Sequence, residues 1–201
     1  FLINPYGWMF DEITASSLVK VNYEGKKVGD SPNEVNPAGF LIHSAVHEGR
    51  PDAFCTMHSH SLNGCAVSAQ SNGLQVLSQQ SLFVVASLGY HAYEGVALDD
   101  QEKPRLVHDL GSNTFLMLRN HGLLTVGASV ADAFLAMYTF EAACTIQIRA
   151  LSGGADLVPI EPAILAGIQA QAHQVTRGLG GSLVWPALLR KLDRQSPGFR
   201  D

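Results

Sequence analysis

The order of apolar and polar positions divides the chain into short strands and longer helices. The apolar run Phe1 to Ile3, closed by Pro5 and Gly7, predicts a strand over Phe1 to Asn4. Leu18 to Tyr23 alternates and meets Glu24-Gly25, with Lys26 to Val28 returning, which predicts a hairpin. Asn36-Pro37 supplies an N-cap and a first-position proline, so a helix is predicted from there to Gly49, where Pro51 stops it. Phe54 to His60 predicts a strand, Ser61 to Ser71 a helix ended by Asn72-Gly73, and Gln75 to Ser87 one or two further strands. A helix starts at Asp99 or Asp100, carries Pro104 in its first turn and closes at Gly111. Thr114 to Arg119 and Leu123 to Val126 are predicted strands on either side of Asn120-His121-Gly122. Ser129 opens the most regular helix, where Val130, Phe134, Met137, Glu141, Cys144, Ile148 and Leu151 recur near the 3.6-residue period before Gly153-Gly154. Pro162 and Pro186 each mark another helix start. Strands alternating with helices indicate a layered α/β domain, and the early hairpin makes its sheet mixed. No repeat or Pro- or Ser-rich linker divides residues 1–201, which predicts one domain.

Charge refines this picture. No Asp, Glu, Lys or Arg occurs from Ala53 to Tyr93, so that tract is predicted to be largely interior, and its His, Ser, Asn and Gln side chains need partners. The net charge is −5 with no basic block, which disfavours nucleic acid as a partner. Arg190, Lys191 and Arg194 are read as a solvated face of a terminal helix. Charged residues are 15% of the chain, a low share that fits burial of some surface in an oligomer. Cys55, Cys65 and Cys144 show no CxxC spacing, which predicts free thiols and a cytoplasmic setting. No apolar run is long enough to span a bilayer, so no membrane partner is expected. Because residue 1 is Phe rather than Met, residues preceding it are expected in the native protein.

Within the uncharged tract stands His58-Ser59-His60. Two imidazoles two residues apart on a strand share one face, which suits two ligands on one metal ion. His121, in the Gly-flanked break between two strands, is the best third ligand; hydrogen-bonded core histidines are the competing reading. His43 and His47 are spaced i, i+4 on the first helix, but no Glu follows His43 as in zincins, so interface or capping roles are expected. His108 and His173 are expected to face solvent. His91 and Tyr93 close the uncharged tract, Glu94 follows it, and all three are candidates for the cleft or for strand-end packing. Phosphate loops of the GxGxxG and GxxxxGK[ST] types are absent, as is the GxSxG elbow of serine hydrolases.

Five stretches carry a family resemblance: Leu2-Ile3-Asn4-Pro5-Tyr6-Gly7, Asn36-Pro37-Ala38-Gly39-Phe40, Arg50-Pro51-Asp52, His58-Ser59-His60 and Arg119-Asn120-His121-Gly122-Leu123-Leu124. In order and spacing, over about residues 1–150, they resemble the class II aldolase/adducin superfamily, and its adducin-type bacterial branch most. The resemblance implies a three-layer α/β/α sandwich around a mixed, mostly antiparallel sheet. It implies one divalent metal ion, zinc by preference with Fe, Mn, Co or Ni as alternatives, held by His58, His60 and His121. It implies a homotetramer with the site at a subunit interface and a small-molecule substrate. In the family's sugar-phosphate enzymes the metal grips a hydroxy-keto group and stabilises an enediolate.

The chain departs from those enzymes in three places. Their acidic proton-transfer residue corresponds to Phe40, their phosphate-gripping Ser or Thr to Tyr6, Ala38 and Gly39, and their aldol tyrosine to Gln79. The substrate-binding positions implied are therefore Asn4, Tyr6, Phe40 and Gln79. Adducins share the fold, lack the metal triad and serve the cytoskeleton; this chain keeps the triad.

Aldol cleavage needs a base that Phe40 cannot supply, whereas decarboxylation needs only a proton donor once carbon dioxide has left. Tyr93, His91 or a water is the candidate donor. The leading expectation is a metal-dependent carbon–carbon lyase acting on a small oxygenated carboxylate, with decarboxylation ahead of aldol cleavage. The alternatives are a non-catalytic, adducin-like interaction module and a mononuclear iron oxygenase.

Overall fold

The computed structural model describes residues 1–201. Its centre is a four-stranded sheet in the order β3 (Cys55–Ser59), β6 (Gly122–Gly127), β5 (Phe115–Leu118), β4 (Leu88–His91). The β3/β6 and β6/β5 pairs are antiparallel, and β5/β4 is parallel. The sheet is therefore mixed and mostly antiparallel. A separate two-stranded antiparallel ribbon joins β1 (Leu2–Ile3) to β2 (Val19–Lys20).

Period-two alternation on the sheet creates two cores. Leu116, Leu118, Leu124 and Val126 point to one face, under α1 (Pro37–Gly49) and α4 (Lys103–Leu110), where Leu41, Val46, Leu106 and Leu110 meet them. Phe115, Met117 and Leu123 point to the other face. There they pack against α2 (Leu62–Ser68), α3 (Gln79–Val85) and α5 (Val130–Ser152), through Val67, Val84 and Phe140. Helices thus cover both faces of the sheet, the layering that the resemblance implied. Beyond α5, α6 (Pro162–Val175) packs against α3, and α7 (Trp185–Gln195) sets Trp185 edge-on to Phe134. No helix is long and apolar enough to cross a membrane.

Local chemistry explains the element boundaries. Asn36 caps α1, its side chain accepting from the amides of Ala38 and Gly39, with Pro37 in the first turn. Arg50-Pro51-Asp52 acts as a brace. The Arg50 guanidinium is held by Asp52 and donates to the carbonyls of Gly111 (2.6 Å) and Asn113 (3.1 Å), tying the end of α1 to the α4–β5 turn. The hairpin expected at 18–28 is reduced to a turn at Gly25 (φ 80°) and a single bridge, Val21 to Lys27.

The expectation of strands across Gln75 to Ser87 is overturned, because most of the segment is helix α3. Ser78 and Ser81 form a reciprocal capping box: the Ser78 hydroxyl accepts from the Ser81 amide and the Ser81 hydroxyl from the Ser78 amide. The apolar run Leu82 to Val85 follows this nucleus into a helix; a run that short fits either conformation. The fourth strand lies just downstream, in Leu88–His91.

Candidate metal centre

His58 lies on β3, His60 follows the strand by one residue, and His121 sits at the tip of the β5–β6 hairpin. Because Leu118 pairs with Gly122, residues 119–121 form that tip. Asn120 adopts a left-handed conformation (φ 56°), which asparagine tolerates better than most residues. Its amide donates to Ser68 (3.2 Å), and the Cys65 thiol donates to the His121 carbonyl (3.0 Å). Helix α2 therefore pins the loop that carries the third imidazole. Gly122 is required by close approach, since a Cβ there would lie 2.3 Å from the Ser59 carbonyl oxygen. Its absence lets β6 run against β3 where the histidines converge.

The candidate ligand nitrogens of His58, His60 and His121 all lie within 4.8 Å of one another. Ring centroids are 4.7–4.8 Å apart and the planes cross at 68–77°, so three imidazoles face one point from different directions. His58 Nδ1 lies 2.9 Å from the Leu123 carbonyl, which can only accept a hydrogen bond. Nδ1 therefore carries the proton, and Nε2 presents its lone pair to the cluster. Nε2 of His58 and of His60 are 2.8 Å apart, a spacing that two bare lone pairs do not tolerate without a proton or cation between them. The donor set fits a divalent ion of the imidazole-binding type, with coordination positions left open.

The cluster borders a cleft of about 490 Å³ lined in part by Asn4, Asn36, Gly39 and His43, with Ser59 and Ser61 beside the ligands. No Asp, Glu, Lys or Arg lines it. Burial pushes the His58 pKa down to about 3, with His121 and His60 adding repulsion. Burial likewise takes His43 down to about 4, with His47 adding to it, and lowers His121. These groups stay neutral in the folded protein while an unfolded chain takes up protons below about pH 6.5. Between that pH and the folded-state values the unfolded state binds more protons, so stability falls as pH falls. The expected result for metal-free protein is a melting temperature level above pH 7 that drops from pH 6.5 to 5; an unchanged value over that interval contradicts it.

The structure separates the other candidate residues. Asn4 lines the cleft. Tyr6 is exposed on the preceding loop and is not part of the lining. Phe40 stacks on Phe1 (centroids 6.0 Å) beneath the Lys103 ammonium, and Gly39, one residue earlier, occupies the cleft wall instead. Gln79 lines a separate cavity of about 620 Å³ with Phe83, Thr139 and Ile168, between α3, α5 and α6. Tyr93 places its ring 6.3 Å from His121, edge-on and half exposed. His91 is buried, with Nδ1 2.8 Å from Asp109 and Nε2 3.2 Å from Glu102, so both nitrogens are engaged away from the triad. Glu94 pairs with Arg105 instead of entering the cleft. His108 and His173 face solvent. His43 was read as an interface or capping group, yet it lines the cleft. The signal was available in its i, i+4 spacing from Gly39.

A fold of this layering with three converging imidazoles defines a class that comparison with known proteins now specifies. Residues 1–148 match the family described as Class II Aldolase and Adducin N-terminal domain. A Pseudomonas aeruginosa protein provisionally named as an aldolase class 2 protein is 61% identical over 100% of this chain and 78% of its own length. Mouse alpha-adducin is 46% identical over 81% of this chain, a match confined to 23% of the adducin. The solved L-fuculose 1-phosphate aldolase from Glaciozyma antarctica superposes with a TM-score of 0.82 at 28% identity, covering 100% of this chain and 78% of that one. The chain belongs to the class II aldolase and adducin family.

Proposed function

We propose that the protein is a metal-dependent carbon–carbon lyase of a small oxygenated carboxylate, of decarboxylase or aldolase-like type, with decarboxylation slightly preferred over aldol cleavage. The observation that carries this reading is the convergence of His58, His60 and His121 on one point beside an uncharged cleft. The kinship with aldolases supports the reaction class. A divalent cation held there, zinc by preference, supplies Lewis-acid stabilisation of negative charge on a chelating substrate oxygen.

The chain's own residues define the rest. The lining holds no cationic side chain, and the family's phosphate-gripping Ser or Thr positions are Tyr6, Ala38 and Gly39 here, which supports an unphosphorylated substrate whose anionic group sits at the triad. Neither Phe40 nor Gly39 carries a carboxylate, so the acidic proton-transfer group of the family's sugar-phosphate enzymes is missing from the cleft wall, which favours decarboxylation over aldol cleavage. In decarboxylation the bond to the carboxylate carbon breaks, carbon dioxide departs, and the electron pair stays on the substrate. The phenol of Tyr93, edge-on to His121, or a water then delivers the proton. We further infer a cytoplasmic homotetramer forming one domain over residues 1–201, a setting consistent with three free thiols.

The test is metal analysis of protein purified without chelator, followed by carbon dioxide release from hydroxylated aromatic and pyridine carboxylates. About one ion per chain is expected, with turnover lost on removing the metal and restored by adding it back. Protein without stoichiometric metal overturns the reading.

The likeness to alpha-adducin favours a second reading, an interaction module without catalysis. Under it, replacing both His58 and His60 by Ala leaves partner capture intact and no carboxylate is consumed.

A further inference from the structure

His43 is a polar group of the cleft that neither the fold nor the triad employs. It shares one face of α1 with Asn36 and Gly39, at positions i, i+3 and i+7, and all three line the cleft beside His58 and His60. The side chain of Asn36 is spent on capping the helix. His47, one turn later, is also occupied: its Nδ1 lies 2.9 Å from the Ala53 carbonyl and its ring rests against Phe1 at 4.9 Å. No protein group hydrogen-bonds to His43 and its nitrogens are not sealed from solvent, since Thr56 Oγ1 is the buried side-chain polar atom left without a partner.

His43 and Gly39 line the same stretch of the cleft wall. Helical side chains lean toward the N-terminus, so His43 lies over the turn that contains Gly39. A Cβ at Gly39 would meet only the Asn36 side chain, at 3.7 and 3.9 Å, so packing does not demand glycine there. His43 is also outside the group of nitrogens that converge on the candidate metal position. A neutral imidazole offers one N–H donor and one acceptor.

We propose that His43 contacts substrate directly, hydrogen-bonding an oxygen that lies one or two atoms beyond the pair chelated at the triad, and so selects ligands bearing an extra hydroxyl. This rests on the metal-centre reading above. It predicts specificity from a residue that binds no metal.

The experiment uses the full chain loaded with Co²⁺ and two probes with the same chelating group, acetohydroxamate and glycolohydroxamate, which differ by one hydroxyl. Affinities are read from the visible cobalt spectrum. Wild type is expected to bind glycolohydroxamate about 10-fold more tightly, the effect of one well-made hydrogen bond. His43→Phe is expected to erase that preference while leaving Co²⁺ and acetohydroxamate affinities within about two-fold. His43→Gln, which keeps a donor and an acceptor, retains part of it. The proposal is overturned if wild type shows no preference, if His43→Phe preserves it, or if His43→Phe weakens both probes and Co²⁺ together. Wild type that takes up no Co²⁺ overturns the metal-centre reading itself and this inference with it.

Discussion

His58→Ala is expected to lower affinity for Zn²⁺ or Co²⁺ by more than about 100-fold, beyond the range seen when only a partner of a ligand is lost. The size of the effect follows from the place of His58 in the cluster. Its Nδ1–H is fixed on the Leu123 carbonyl across the β3/β6 pair, so Nε2 is already aimed at the cluster and little ordering entropy remains to oppose binding. His60 and His121 would remain, but two imidazoles leave an ion with too few protein ligands for a stable catalytic-type site. The strand should survive, because His58 is a β3 residue whose backbone pairing with Leu124 does not involve its ring. Competition titration against a chromophoric chelator measures the loss, and circular dichroism checks the fold. In wild type, metal at 100 times its dissociation constant should add about 2.7 kcal/mol of stability, and the variant should gain almost none. A variant that keeps affinity within 10-fold of wild type removes His58 from the ligand set.

The parts of this site that were legible in the sequence are those where short-range rules act alone. Strand periodicity put His58 and His60 on one face, and a glycine-flanked break between two apolar runs placed His121 at a tip. The wall opposite is set by helix phase, where one residue is worth about 100° of rotation. Phe40 is expected at the substrate because the motif sets it at the acidic position of related enzymes. The cap at Asn36 fixes the phase of α1 so that Gly39 faces the cleft, while Phe40 turns to Phe1 and Lys103. Correspondence along a motif cannot resolve that offset; packing of Phe1 against the helix does.

His91 shows a different limit. Its neighbours Glu102 and Asp109 are 11 and 18 residues away in sequence and meet it because α4 folds back over β4. Nothing local foretold that both its nitrogens would be engaged. The helix α3 was missed for a related reason, since Ser78 and Ser81 also read as turn residues and only their reciprocal bonds make them a cap. Gln79, in its first turn, consequently faces the cavity under α6.

Gly122→Ala is expected to be the most damaging of the small substitutions, because it strikes the fold and the site at once. The new Cβ would lie 2.3 Å from the Ser59 carbonyl oxygen and 3.3 Å from its carbon. Both are backbone atoms of the neighbouring strand, so no side-chain rotation relieves the overlap and β3 and β6 must separate. Overpacking of this kind costs typically 1–3 kcal/mol, and with rigid partners a value of about 3 kcal/mol is expected. Ser59 stands between His58 and His60, and residue 122 follows His121, so the same separation spreads the three imidazoles. Metal affinity should therefore fall by at least about 10-fold even in molecules that remain folded. Gly39→Ala is the control, since its Cβ meets only ordinary contacts at 3.7 Å and alanine favours the helix by up to about 1 kcal/mol. Urea titration separates the two, with the midpoint expected to fall for Gly122→Ala and to rise for Gly39→Ala at unchanged slope. If Gly122→Ala matches wild type in both midpoint and Co²⁺ affinity, the close passage of β6 past Ser59 is not what brings the histidines together.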